Sequence, residues 1–242
     1  MDIEIAGPGI TPPSSPAAYG PALRAAGLAE TAVATVGQER VEYDPITGGY
    51  ESATIYFHHD AALHQMLGVR GELQVVFAAS QVPVYRFSYL GLHVSPTTAA
   101  IPDVDFSGFR DPEVADNVTF SLHGFAATVQ SLQLNLGNNV VYRELMNGKA
   151  VNVTGRAPSG TVVIEAPPLA DKDYFAAAEA ETLDALQLIH GTAAGDIVQI
   201  DAPAVQLINP RYTNVDGVTH IEMDLNPTPT AAGNDEIKIT TK

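Results

Sequence analysis

"LQLNLGNNVVYRELMNGKAVNVTGR", residues 132–156, sets two alternating runs on either side of an Asn-Gly pair. Leu132, Leu134 and Leu136 share one face of an extended strand, because side-chain direction in a strand repeats every two residues. Asn-Gly supplies the positive φ that a tight hairpin needs, so Asn147-Gly148 predicts a hairpin tip. Asn138-Asn139 reads as a strand joint. Tyr142-Arg143 then poses the functional question: a polar site within one chain, or a contact with another copy.

The same texture extends both ways. Upstream, "TAVATV" (31–36), "ATIYFHH" (53–59), "ELQVVFAA" (72–79) and "VYRFSYLGLHV" (84–94) are β-branched or aromatic runs bounded by Gly or Pro. "NVTFSLHGF" (117–125) alternates cleanly. In "ATVQSLQLNL" (127–136) Val129 faces opposite Leu132, which predicts a kink or bulge near Ser131. Downstream, "AVNVTGR", "TVVIEA", "LDALQLIHG", "DIVQIDAPAVQLI" and "THIEMDLNP" continue the series. Pro203 inside one run predicts an edge position or a break. "NVDG" (214–217) reads as a hairpin turn rather than a calcium loop, since the twelve-residue loop ending in Glu is missing.

Two helices are expected. Asp60 can cap one through Leu67, with Leu63, Met66 and Leu67 on one face and Gly68 as its stop. The other follows Pro167-Pro168, is capped by Asp171 or Asp173, and runs to about Glu181 with a Tyr174, Phe175, Ala178 stripe. Residues 1–21, rich in Gly, Pro, Ser and Ala from position 6, are expected as a flexible arm, with one β-rich domain over 22–242. The first residues carry no basic n-region or apolar h-region, so no signal peptide is expected, and no stretch nears the ~20 apolar residues of a membrane span.

A hydrophobic share of 45% marks a globular chain, while a charged share of 17% is low against a typical ~25%. Only four Lys accompany eight Arg, the bias expected where surface becomes interface. The net charge of −16 argues against ordinary nucleic-acid binding through phosphates. With no Cys there is no disulfide framework, thiolate metal site or thiol nucleophile.

No catalytic pattern emerges. His58, His59, Asp60 and His64 have the chemistry of a zinc set, but His58 and His59 point to opposite strand faces and the H-E-x-x-H spacing is absent. Asp103 with Asp105, and Glu222 with Asp224, fall on one strand face as solvated pairs; Asp235-Glu236 adds an adjacent one. A glycosidase would hold its carboxylates across a sugar from different strands. No G-x-S-x-G elbow and no phosphate loop occur. No catalytic, cofactor-binding or metal residue is assigned, and no cofactor is expected.

The second half has a recognisable order: the "LNLGNNVVYR" joint, the "GR-x-x-x-G-x-V-x-I-E" hairpin, a helix after "PPLADKDYF", the pair "HGTAAGDIVQIDAPAVQL", and a closing "GNDEI". Over about 127–240 this resembles the tail tube proteins of long-tailed, siphovirus-type bacteriophages, with a looser match over 20–100. The resemblance implies a mainly β protein, a β-sandwich or barrel with one or two flanking α-helices. It implies a structural virion protein rather than an enzyme, made in the host cytoplasm and assembled as hexameric rings stacked into a tube. Its partners would be further copies of itself, a tape-measure protein, a tail terminator and tail-tip proteins. DNA would pass the lumen unbound during ejection, with no membrane insertion. On that reading Asn138, Tyr142, Arg143, Arg156 and Asp196 are the candidates for subunit contacts, Arg143 foremost because Arg favours interfaces. The competing reading is a ligand- or carbohydrate-binding β-sandwich of a virion or cell surface. A sugar-stacking face would want exposed aromatics, and this chain has no Trp and 7% aromatic residues.

Overall fold

A computed structural model describes residues 1–9, 14–105 and 110–242. The chain begins with β1 (Asp2–Glu4), α1 (Gly20–Ala25), β2 (Leu28–Val33), β3 (Arg40–Pro45) and β4 (Ala53–His59). Two long strands follow, β5 (Ala62–Ala78) and β6 (Val84–Thr98), then β7 (Val118–Leu122), β8 (Phe125–Ala126) and β9 (Val129–Asn135). Next come β10 (Asn138–Leu145), β11 (Gly148–Arg156), β12 (Ser159–Glu165) and α2 (Tyr174–Glu179). The last elements are β13 (Leu183–His190), β14 (Val198–Val215), β15 (Val218–Pro227) and β16 (Lys238–Thr241). The protein is mainly β, as expected.

Fourteen strands form one antiparallel sheet in the order β1-β6-β5-β9-β12-β15-β14-β13-β7-β8, with β4 added to β5 and a branch β14-β16-β3-β2. The sheet folds over so that its halves share one core. Leu73, Val75, Leu132, Leu134, Val162 and Met223 come from one half; Tyr43, Leu122, Leu186, Leu188, Ile200 and Ile239 come from the other. Each half contributes alternate residues, which is why the sequence alternates so regularly.

β14 makes the fold-over possible. It pairs with β16 over Val198–Asp201 and with β15 from Val205 onward. Pro203 lies between, beside a register shift in the β13 pairing. A residue without an N–H is tolerated where no ladder bond is required, so the expected break is the seam where the strand changes partner. The kink near Ser131 is also present: Val163 pairs with Ser131 but Ile164 with Val129, so Gln130 is an extra residue. Asp216 (φ 51) and Gly217 (φ 87) make the β14–β15 turn as expected. α2 starts where its sequence said, with the Asp173 carboxylate accepting from the Ala176 N–H at 2.9 Å.

The expected helix at 60–67 is not formed. β4 and β5 are a hairpin joined at Asp60-Ala61, with Asp60 at φ 52 and His59 opposite Ala62. Leu63, Met66 and Leu67 mimic helical spacing because Gly68 (φ 60) and the register shift between Leu67 and Arg70 form a bulge that resets the alternation. The first helix is instead α1, with Pro21 in its first turn and Leu23 fully buried.

Segment 1–21, expected as a flexible arm, is held to the body in its described residues; 10–13 lie outside them. β1 pairs with β6, the Met1 ammonium donates to the Phe87 carbonyl at 2.9 Å, and Tyr19 Oη donates to the Ala6 carbonyl at 2.7 Å. Ile5 and Tyr19 belong to the core.

Candidate assembly surface

The quoted stretch builds a feature that stands apart from the main sheet. β10 and β11 form a separate two-stranded sheet, pairing Tyr142 with Val151 and Arg143 with Ala150. Leu145 pairs with Gly148, so the turn residues are Met146 and Asn147, one position earlier than Asn-Gly alone implies. The hairpin packs against β5 and β6, burying Val151, and its outer half is in solvent. Leu145 is 59% exposed and Met146 fully exposed.

Its root is fixed by hydrogen bonds from residues far away in sequence. The Asn138 amide group donates to the carbonyls of Ala26 (2.6 Å) and Gly71 (3.0 Å). The Glu72 carboxylate accepts the backbone N–H groups of Gly137 (2.6 Å) and Asn138. Burial pushes the Glu72 carboxyl above the usual range, against the pull of those two N–H donors. Gly137 is required here: its φ is +73°, and a Cβ would lie 1.9 Å from the Ala157 carbonyl oxygen. Arg70 ties the hairpin to its neighbours through the carbonyls of Val151, Tyr50 (2.9 Å) and Glu51 (3.1 Å).

Four of the five candidate contact residues have side-chain partners within the chain, and three of them are tied to residues far away in sequence. Asn138 is the clamp just described. Arg156, at 6% side-chain exposure, reaches the Ile46 carbonyl (2.7 Å), Asn234 Oδ1 (3.2 Å) and the Glu236 carboxylate (2.9 and 3.0 Å). Asp196 forms a two-pronged pair with Arg110 at 2.8 and 2.9 Å. Gly7 lies so close that a Cβ there would sit 2.4 Å from the Asp196 Cα. Tyr142 and Arg143 remain on the hairpin surface. Tyr142 Oη donates to Glu144 (3.0 Å), which also pairs with Lys149.

Arg143 differs from the other cations. Arg24, Arg40, Arg86, Arg110, Arg156 and Arg211 each pair with Asp or Glu, as do Lys149 and Lys238. Arg70, Lys172 and Lys242 donate to carbonyl or amide oxygens. Among the described Lys and Arg residues only Arg143 has a side chain with no ion pair or hydrogen bond, and it is exposed. In a chain of net charge −16, this is the one cation free to meet a carboxylate elsewhere.

The other chemistry-bearing groups have structural partners. Phe57 pairs with His64, so His64 sits on a strand and not near a helix end. Glu222 and Asp224 share a face as expected and flank Arg211. Glu236 serves Arg156, and Asp235 accepts from Thr230. A hollow of about 960 Å³ lies over β3, β16, β14 and β13. Its polar side chains pair with one another, Lys238 with Glu42, Gln187 with Asp201, and Lys242 with Gln199. Among the described residues no group of three or more His, Asp or Glu is placed to hold a metal ion. The roles of Arg70 and Glu72 escaped the sequence reading, although they are the two Arg, Lys, Asp or Glu residues of β5 and flank Gly71, which was a usable signal.

A protein-family model described as phage tail tube protein matches residues 6–241. Comparison with curated proteins gives no match.

Proposed function

Since the chain belongs to the phage tail tube protein family, we propose that it polymerises as stacked hexameric rings forming the tail tube, the conduit for DNA ejection into the host. The match over nearly the whole chain carries this reading. The role is structural: assembly around a tape-measure protein between terminator and tail-tip proteins, with no chemical turnover.

Two physical features support it. A net charge of −16 per subunit, repeated around rings, repels phosphates and lets DNA slide without sticking. The β10–β11 hairpin presents Tyr142 and the unpaired Arg143 beside exposed Leu145 and Met146, a cation and apolar surface suited to an acidic neighbour. Asn138 and Arg156 act on assembly indirectly, by holding the root of the hairpin in place, and Asp196 by pinning Arg110 to the β13–β14 loop.

The purified chain should give rings or tubes in negative-stain images and a large species in light scattering. Arg143→Glu should leave monomer stability within about 0.5 kcal/mol, because the exposed side chain makes no hydrogen bond or ion pair in its own subunit. It should raise the concentration needed for tubes by about ten-fold, the effect of about 1.4 kcal/mol per contact. Tubes of wild-type length at wild-type concentration from this variant would remove Arg143 from the interface.

A further inference from the structure

The tip of the β10–β11 hairpin carries a reactive pair of residues. Met146 and Asn147 form its turn, and both are exposed. The Asn147 side chain has no hydrogen bond among the described residues. Gly148 follows it, and the space that a Cβ would fill there holds nothing within 4 Å. Gly148 pairs with Leu145 at the open end of a two-stranded sheet, where a ladder opens at the least cost in free energy.

An Asn in such a place has an intramolecular nucleophile at hand. The backbone nitrogen of the next residue, having lost its proton to hydroxide, attacks the side-chain Cγ and closes a five-membered ring. Two things usually oppose this: a side chain crowding the nitrogen, and a backbone held in one conformation. Glycine removes the first obstacle and a fraying turn the second. Asn147 is the only Asn of this chain that precedes Gly; four others precede Val and two precede Pro, which has no N–H to lose. The comparable exposed tip, Asp216-Gly217, differs twice. Its Gly217 N–H donates to Asn214 Oδ1 at 3.0 Å, and a carboxylate is a poor electrophile.

We propose that Asn147 is a self-modification site, converted without an enzyme to aspartate and isoaspartate. The Gly148 nitrogen bonds to Asn147 Cγ, the Cγ–Nδ2 bond breaks, and Nδ2 leaves as ammonia. Water then opens the cyclic imide at either carbonyl. One product is an ordinary Asp; the other routes the backbone through the side-chain carbonyl and lengthens it by a methylene. No electrons are transferred, and water is the only co-reactant. Either product puts a new carboxylate on the hairpin near the Glu144–Lys149 pair. On the tube reading, this carboxylate opposes the cation that Arg143 offers to an acidic neighbour, so conversion weakens assembly.

The full-length monomer is kept at mildly alkaline pH and mapped with trypsin beside a free peptide of sequence 144–149. The fragment Glu144–Lys149 should gain the mass of an amide turned to an acid, in two chromatographic forms, one of them open to isoaspartyl methylation. Its rate should lie within about ten-fold of the free peptide's, the slowing that a local ladder stability of about 1.4 kcal/mol gives. Gly148→Ala, whose Cβ enters open space, should slow conversion in both. An unchanged fragment, a rate below that bound, or conversion at Asp216 that keeps pace overturns the proposal. Asn147→Asp, made as the full chain, should need about three-fold more protein or higher to form tubes. Conversion with unaltered tubes keeps the site and overturns its effect on assembly. A wild-type chain that forms no tubes overturns the tube reading, and the peptide map still decides the site.

Discussion

Arg156→Met tests whether the most buried ion pair belongs to the subunit or to the assembly. Arg156 and Glu236 are 6% and 9% exposed at the side chain, and among the described residues Arg156 is the one cation paired with Glu236. Removing the guanidinium leaves a carboxylate in a desolvated site and strips the Ile46 carbonyl of its 2.7 Å donor. Breaking one side of a buried pair costs about 3–5 kcal/mol, mostly from the charge left behind. For a domain of this size that lowers the melting temperature by roughly 6–20 °C. The double variant Arg156→Met/Glu236→Leu removes both charges and should recover most of the loss. Urea denaturation of the monomer measures all three chains. A single variant within about 1 kcal/mol of wild type, yet unable to form tubes, would refute the reasoning and return Arg156 to the interface.

Other outcomes follow from the same geometry. Asn138→Ala removes the donors to the Ala26 and Gly71 carbonyls, and should cost about 2–3 kcal/mol in monomer denaturation while loosening exchange throughout β10–β11. Asp173→Ala deletes the cap of α2 and should cost about 1 kcal/mol, with Asp173→Asn close to wild type. His190 is 2% exposed with Nδ1 unpartnered, and burial holds its imidazole below the ordinary range, with Glu113 pulling the other way. A lowered folded-state value means the unfolded chain takes up the proton first, so stability present at pH 7 declines as pH falls below about 6.5. His190→Gln should flatten part of that decline in monomer melts between pH 7 and 5.5. His123, shifted the same way by burial, keeps the rest.

Local pattern was legible where one strand face was buried and one wet. β12 alternates throughout and β15 from Ile221 onward, and their limits fall within two residues of the reading. The Asp216-Gly217 turn and the Asp173 cap were legible because each depends on chemistry within four residues. The first half of β5 was not, because a bulge at Gly68 shifts the apolar set by one and imitates a helical stripe. Contacts were legible even less. Asn138 answers to Ala26, Arg156 to Ile46 and Glu236, and Asp196 to Arg110, all separated by long stretches of chain. A polar residue on a strand looks the same in sequence whether its partner is distant in its own chain or in a neighbour. Arg143, foremost among the candidates in the sequence, is set apart in the structure because the other Lys and Arg side chains each have a partner within the chain.

The placement of β16 sets an order of events for making this protein. β2 and β3 join the rest of the sheet only through β16, which pairs Val41 with Thr241 and Val198 with Thr241 on its other side. That closure spans roughly 200 residues, the kind of non-local pairing that makes β folding slow. Until it occurs, β3 and the first part of β14 are unpaired edges as inviting as any on the finished molecule. A subunit that met its copies at that stage could pair with them through the wrong strands. Chain maturation must therefore precede polymerisation, and the rate of sheet closure bounds how fast competent subunits are supplied.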